Sequence, residues 1–560
     1  PPLMPNYPVE MRLNIPTSMR DEVALSSDLY LPRGAGAAPA VLMRTPYSNN
    51  MPEIIAKART LAGSGYACVV QDVRGRWDSN GQHNPFHGHA EDGYDTHEWI
   101  GRQEWSNGRI GMAGASYLGL VQWAAAHQGS AYLTCLTPRV ICGDFFKGLL
   151  YPGGAFQLNV ALTWGMRTNG RTAQNIDFHN WAEAFRYLPV AEMDELAGRR
   201  LQFWKDWLAH PTYDEYWAAI DPEPHFDSIA VPAFNMGGWY DLYSTYTFTT
   251  FNDLIRKGSG EARRSRLIVG PWPHRLSTST WLGDVDFGVA SRVDLDAEEL
   301  RWFDYWLKGI DNGIVDEPPL RLFIMGTNVW RDEHEWPLDR TDWQKWHLHS
   351  SGGANTVRGD GGLSRDTPAD ETPDRFVYDP AFPVQTVGGN NCCSPELVPW
   401  GPYDQRAVEM RSDVLVYTSG PLEEDLEVTG PIKLVLHAAT DGPDTDWTGK
   451  LVDVAPNGFA RNLCDGILRA RCRESLTEPS LLEANRVYEY EIDLMVTGNV
   501  FLAGHRIRLE IASSNFPRFD RNPNTGHDMG ADADLRVAHQ TVHHDRSRPS
   551  HLLLPVIPTA

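Results

Sequence analysis

The chain has 560 residues, 42% hydrophobic and 22% charged, which is enough apolar material for more than one core. Its formal net charge of −23 excludes nucleic acid and anionic membrane surfaces as main partners, because both need clustered Lys and Arg. No apolar run reaches the ~18 residues of a membrane span, so no membrane partner is expected.

The Pro1–Glu10 segment lacks the charged-then-apolar pattern of a secretory leader. The expected location is cytoplasmic, with a removed leader left open because the chain begins at Pro. Downstream, 40–43 and 67–71 read as buried strands, and 54–62 and 92–100 as helices. That alternation predicts βαβ units around a largely parallel sheet, an α/β architecture. From 146 to 226 the spacing is helical, over 181–187, 190–208 and 214–219, which predicts an inserted helical cap. Strands resume at 231–236 and 266–269, followed by an amphipathic helix at 300–308. Beyond about 345 the segments 414–418, 432–438, 450–454, 487–494 and 506–511 are short, β-branched and separated by Gly, Pro, Asp or Asn. They predict an all-β sandwich or jelly roll. The expected divisions are 1–145 with 227–345 as catalytic domain, 146–226 as cap and 346–560 as jelly roll.

The seven cysteines are Cys68, Cys135, Cys142, Cys392, Cys393, Cys464 and Cys472. The number is odd, and no pair has zinc-ligand spacing. Cys392 and Cys393 are adjacent, a poor geometry for an ordinary disulfide, so reduced thiols are expected.

The sharpest chemical signal is Gly111-Met-Ala-Gly114-Ala115-Ser116-Tyr117-Leu118-Gly119. An apolar strand leads in and a helical stretch leads out. This is the layout of a nucleophile elbow, in which a tight turn exposes the Ser Oγ. Leu118 stands where the common Gly-x-Ser-x-Gly pattern has its second glycine. An ordinary glycine-rich turn is the competing reading. A Ser hydroxyl needs a base and an orienting acid, and in this fold class the acid precedes the His in the chain. Asp241 follows the strand ending in Gly237-Gly238-Trp239-Tyr240. His274 follows the strand ending in Gly270-Pro271-Trp272-Pro273. Each alone reads as a loop residue. In this order and both at strand ends, they read as a triad with Ser116.

Other clusters read as structure. His83, His87 and His89 match no zinc motif. Asp441, Asp444 and Asp446 lack the glycine and distal Glu of a calcium loop. Neither a metal nor a nucleotide cofactor is expected.

The segments Arg44-Thr-Pro-Tyr47, Gln71-Asp-Val-Arg-Gly75, Trp105-Ser-Asn-Gly108, Gly114-Ala-Ser-Tyr-Leu-Gly119, Gly238-Trp-Tyr-Asp241 and Gly270-Pro-Trp-Pro-His274 resemble the cocaine esterase family, the CocE/NonD hydrolases. Pro421-Leu-Glu-Glu-Asp425, Asp444-Thr-Asp446, Cys464-Asp-Gly-Ile-Leu-Arg469 and Ser514-Asn-Phe-Pro517 extend the likeness over nearly the whole chain. In that family the elbow reads Gly-x-Ser-Tyr-x-Gly, which accounts for Gly119. The resemblance implies an α/β-hydrolase domain, an inserted cap and a C-terminal jelly roll. It also implies an oxyanion hole made by the Tyr117 backbone N–H and the Tyr47 hydroxyl. The family's amino-acid ester hydrolases hold an α-ammonium with carboxylates at the places of Tyr243 and Ser244 and near Leu150. None stands at these places here, and Asp144 is a poor substitute. The cocaine-esterase subgroup has aromatic residues at Tyr243 and Trp164, which pack on an aromatic acyl group. Trp164 and Tyr243 are therefore the leading substrate contacts, with Phe156 and Trp239 as weaker candidates.

The expected activity is hydrolysis of a small-molecule ester with an uncharged bulky or aromatic acyl group. An amidase or acylase, an acyltransferase and a non-catalytic carbohydrate-binding protein stay open, and the family resemblance allows a homo-oligomer.

Overall fold

The computed structural model describes residues 7–177 and 179–558. Residues 1–6 of the N-terminal reading lie outside them. Strands β1 (Val9–Ser18), β2 (Ala24–Pro32), β3 (Ala38–Thr45), β4 (Ala67–Asp72), β5 (Ser106–Ala115), β6 (Leu133–Arg139), β7 (Phe234–Gly238) and β8 (Arg266–Gly270) form one sheet with Leu320–Ile324 and Val329–Glu333. The order is β1-β2-β4-β3-β5-β6-β7-β8, continuing into those last two strands. From β4 to Leu320–Ile324 every neighbouring pair is parallel. Helices α1 (Pro52–Gly63), α2 (His89–Gly101) and α3 (Tyr117–Ala126) cross between the strands. Every residue of β3 and β4 is buried. Strands covered on both faces appear in sequence as unbroken apolar runs, which is how 40–43 and 67–71 were legible. Parallel strands also put the C-terminal ends of β5, β7 and β8 on one edge, where ligands bind in open α/β sheets.

The cap lies between β6 and β7. It contains α4 (Leu158–Thr168), then Trp181–Ala184, Met193–Leu196, Gln202–Ala209 and Glu215–Ala218. The helix expected over 190–208 is interrupted. The chain leaves helical geometry after Leu196, Gly198 takes φ 115°, and helix resumes at Gln202. The sequence reading passed over α4. Its buried face mixes Asn159, Thr163, Gly165 and Thr168 with the apolar residues.

The C-terminal part is an eleven-stranded sheet assembly. Leu426–Thr440 pairs with Tyr488–Phe501 along nearly its whole length. Asp342–His349 pairs with His551–Ile557, so the division expected at 345/346 cuts through a strand of the C-terminal part. Backbone bonds from Met325 N to Gly498 O (2.9 Å) and from Val500 N to Met325 O (2.8 Å) stitch the two parts together. Among the described residues no helix is long and apolar enough to cross a membrane.

The cysteine expectation needs correction. Cys392 and Cys393 are joined by a disulfide. Cys393 has left-handed backbone (φ 75°), and the turn carries both sulfurs to the same side. The other five cysteines are free and buried.

Candidate active site

The turn at Ser116 is tight. Its φ and ψ are 56° and −121°, and Gly114 has φ 136°. A Cβ on Gly114 would lie 2.3 Å from the Leu118 Cβ, and one on Gly119 would lie 2.6 Å from Ile141 Cγ2. Glycine is needed at 119 because there α3 meets the segment after β6. Tyr117 opens α3, so its N–H has no carbonyl partner inside the helix and lies at the positive end of the helix field.

The ends of β7 and β8 are locked together. Trp239 N donates to Gly270 O (2.9 Å) and Tyr240 N to Trp272 O (3.0 Å). A Cβ on Gly238 would lie 2.1 Å from Trp272 O, so only glycine permits this approach. The consequence is a 2.8 Å hydrogen bond from His274 Nδ1 to Asp241 Oδ1. A carboxylate can only accept, so Nδ1 carries the proton and Nε2 keeps a bare lone pair. Nε2 is buried and has no hydrogen-bond partner among the described residues. Asp241 is fully buried. From the C-terminal part, Asn390 Nδ2 donates to the carbonyls of Trp239 and Asp241, each at 2.8 Å. Sequence reasoning missed Asn390, because nothing near it in the chain hints at that clamp.

Tyr47 follows β3. Its loop is pinned where Pro46 O accepts from Arg76 Nε (2.8 Å) and Trp77 Nε1 (3.0 Å). Trp164 Nε1 donates to the Tyr47 hydroxyl oxygen at 3.0 Å. Indole is donor-only, so the phenol proton stays available to a substrate. Burial raises the Tyr47 pKa, opposed in part by hydrogen bonds with Trp164 and Ser116, and the phenol stays neutral. The Tyr117 hydroxyl accepts from Phe86 N (2.9 Å) and bonds His89 Nε2 (2.6 Å), which braces the first residue of α3.

Beside these groups is a cleft lined by Tyr47, Phe86, Ser116, Tyr117, Trp164, Trp207, Tyr243, Cys393 and aliphatic residues that include Leu150. No charged side chain lines it. Phe86 stacks on Trp164 (5.9 Å) and Trp207 (5.4 Å), and the Tyr243 ring lies 5.8 Å from that of His274. The structure therefore brings Trp164 and Tyr243 to the cleft. It places Phe156 and Trp239 elsewhere. Phe156 packs inside the cap on Tyr151 and Trp204. Trp239 donates to Phe323 O (2.7 Å), and its ring fills the space above Gly498. Both are drawn away by packing partners distant in the chain. Asp144 also lies outside the lining and pairs with Lys147 at 2.8 Å. Phe86, Trp207 and Cys393 were missed. Trp207 had a signal, since Phe203 and Trp207 share one helix face, whereas Phe86 sits in a loop with φ 74°.

Two histidines under the elbow give a testable acid response. Burial, then the Arg44 charge, pushes His97 down to about 3 and holds His89 well below its ordinary value. The folded state keeps both neutral while the unfolded chain takes up protons below about 6.5. Their contribution is thus present above about pH 6.5 and is lost as pH falls toward 3. Burial pushes Asp72 and Asp221 up to about 7, and these carboxyls act in the opposite sense over the same range. The clean measurement is therefore a difference. Urea unfolding of His97→Gln should gain about 2 kcal/mol relative to the unsubstituted protein between pH 7 and pH 5. An unchanged difference would show that His97 accepts a proton in the fold.

Comparison with known proteins agrees with this architecture. Residues 21–275 match the X-Pro dipeptidyl-peptidase (S15 family), and residues 312–553 match the X-Pro dipeptidyl-peptidase C-terminal non-catalytic domain. The chain is 37% identical to a cocaine esterase from Rhodococcus sp., covering 99% of each. Among solved structures, an aminopeptidase from a marine sediment archaeon (Thaumarchaeota archaeon) has TM-score 0.85 at 27% identity, covering 99% of this chain and 97% of its own. An α-amino acid ester hydrolase has TM-score 0.84 at 26% identity over the same shares. The chain accordingly belongs to the CocE/NonD family of α/β-hydrolases and is a serine esterase of the cocaine esterase type.

Proposed function

We propose that Ser116, His274 and Asp241 form the catalytic triad for hydrolysis of a small ester with an uncharged, bulky or aromatic acyl group. The observation that carries this reading is the His274–Asp241 bond beside a cleft that contains Ser116 and no charged lining residue. His274 Nε2 takes the Ser116 proton as Oγ attacks the ester carbonyl. The Tyr117 N–H and Tyr47 O–H donate to the oxyanion. The alcohol leaves with the proton from His274, and water, deprotonated in turn by His274, releases the acid from the acyl-enzyme. The aromatic walls at Trp164, Phe86 and Tyr243 suit a flat acyl ring.

The names of several relatives raise amide cleavage after a free amino terminus as a second reading. An α-ammonium entering this cleft would meet no carboxylate, and burying it unpaired is costly. A matched panel of aryl and alkyl esters against amides, with and without a free α-amino group, separates the two. Uncharged aryl esters should turn over fastest, and a preference for free-amino substrates would overturn this assignment. Mass spectrometry after treatment with a fluorophosphonate should place one adduct on Ser116, absent in His274→Ala.

Tyr47→Phe keeps the ring and removes one oxyanion donor. A loss of about 10²–10³-fold in kcat with little change in KM is expected. Steady-state kinetics on an aryl ester checks this, and a KM effect alone would make Tyr47 a packing residue.

A further inference from the structure

We propose that reduction of the Cys392–Cys393 disulfide uncovers a soft-metal site, formed by the two thiolates and His274 Nε2, that switches the esterase off. The inhibitory half of this rests on His274 as the base. The site itself rests on geometry alone.

A ring nitrogen of His274 and the sulfurs of Cys392 and Cys393 lie within 4.8 Å of one another. Nδ1 is committed to Asp241, so the nitrogen with a free lone pair is Nε2, which is buried and unpartnered among the described residues. Two sulfurs and one imidazole are the donor set that zinc and cadmium prefer. Metal–ligand bonds of about 2.0–2.3 Å put donors on one ion roughly 3–4 Å apart, so the two sulfurs, bonded to each other in the disulfide, separate on reduction, while the imidazole already lies within 4.8 Å of both. The Asp241–His274 pair adds to this. A carboxylate on the far nitrogen fixes the tautomer and makes the near nitrogen a better ligand. The arrangement that makes a base therefore also makes a metal ligand. The cysteine loop is held in place from the cap, because the Cys393 carbonyl accepts from Arg167 Nη1 (2.9 Å) on α4, the helix that carries Trp164. Cys393 itself lines the cleft.

Oxidation state decides whether the site exists. Disulfide sulfurs are poor ligands, and only thiolates bind such ions strongly. A small dithiol attacks one sulfur, which expels the other cysteine and leaves a mixed disulfide, and its second thiol then displaces the attacked cysteine. The cysteines gain two electrons and two protons in total, and the reductant leaves as a cyclic disulfide. Metal uptake then releases the two thiol protons. With the ion on Nε2, the lone pair that would take the Ser116 proton is occupied. Three protein donors leave a fourth coordination position for water.

The test uses the full chain, reduced with a dithiol, desalted without oxygen and titrated with cadmium. The expected results are a thiolate-to-cadmium ultraviolet band that saturates at one ion per chain, and ester hydrolysis lowered about 100-fold at 100 times the metal Kd. A chelator should restore the rate. Oxidised protein should show neither effect, and nor should the reduced Cys392→Ser/Cys393→Ser double variant, each judged against its own metal-free rate. Absence of the band in reduced protein overturns the site, whatever the triad does. A band with undiminished hydrolysis, or equal inhibition of the double variant, overturns the switch. A protein already inactive when oxidised, whose reduced form still shows the band, supports the site and counts against His274 as the base instead.

Discussion

Ser116→Ala should lower kcat on an aryl ester by about 10⁶-fold, and His274→Ala by a similar factor. The two losses should not add, because an unactivated hydroxyl and a base with nothing to deprotonate are equally idle. The residue left behind should still exceed the rate in water by roughly 10³–10⁴, since the Tyr47 and Tyr117 donors and the cleft remain. KM should change little. The fold should also survive the serine change. The elbow is held by Ser116 N on Arg139 O at 2.8 Å and by Gly119 N and Leu120 N on Ser116 O, all of them backbone bonds. Single-turnover kinetics with a thermal melt checks both points. A Ser116→Ala protein that keeps a tenth of the native rate while melting normally would end the triad assignment.

The parts legible from sequence were those with local causes. The buried parallel strands appeared as apolar runs, and the elbow appeared through glycines whose Cβ positions are blocked by Leu118 and Ile141. Asp241 and His274 were found by chain order and by their places after strand ends. What stayed hidden depends on contacts between distant segments. Trp239 looked like a pocket residue because it neighbours Asp241, yet Phe323 and Gly498 claim its ring. Phe86 reaches the cleft only through a left-handed turn, and Cys393 arrives from a loop of the C-terminal part. Helix α4 was passed over although its sequence is amphipathic at helical spacing. The groups of the proposed triad were thus readable and the cleft walls only half so, since the walls are assembled from the α/β part, the cap and the Cys393 loop together.

Asp241→Asn is the sharper test of the proposed chemistry, because it changes charge and hydrogen-bond polarity while leaving shape. A loss of about 10⁴-fold in kcat, or about 5 kcal/mol of barrier, is expected. Two effects combine. If the amide turns its NH₂ toward the ring, His274 Nδ1 must accept, and the proton moves to Nε2, where it faces the hydroxyl that it should be removing. If the amide turns its oxygen instead, the tautomer is kept, but the imidazolium formed during attack loses the carboxylate 2.8 Å away. That loss is severe here because Asp241 is wholly buried, with little water to replace the charge. The backbone should hold still, since Asn390 grips the Trp239 and Asp241 carbonyls rather than the carboxylate. A merely structural Asp241 would show up as a lowered melting temperature with kcat nearly intact. The triad reading requires the reverse, a normal melt and a collapsed kcat, and the two outcomes do not overlap.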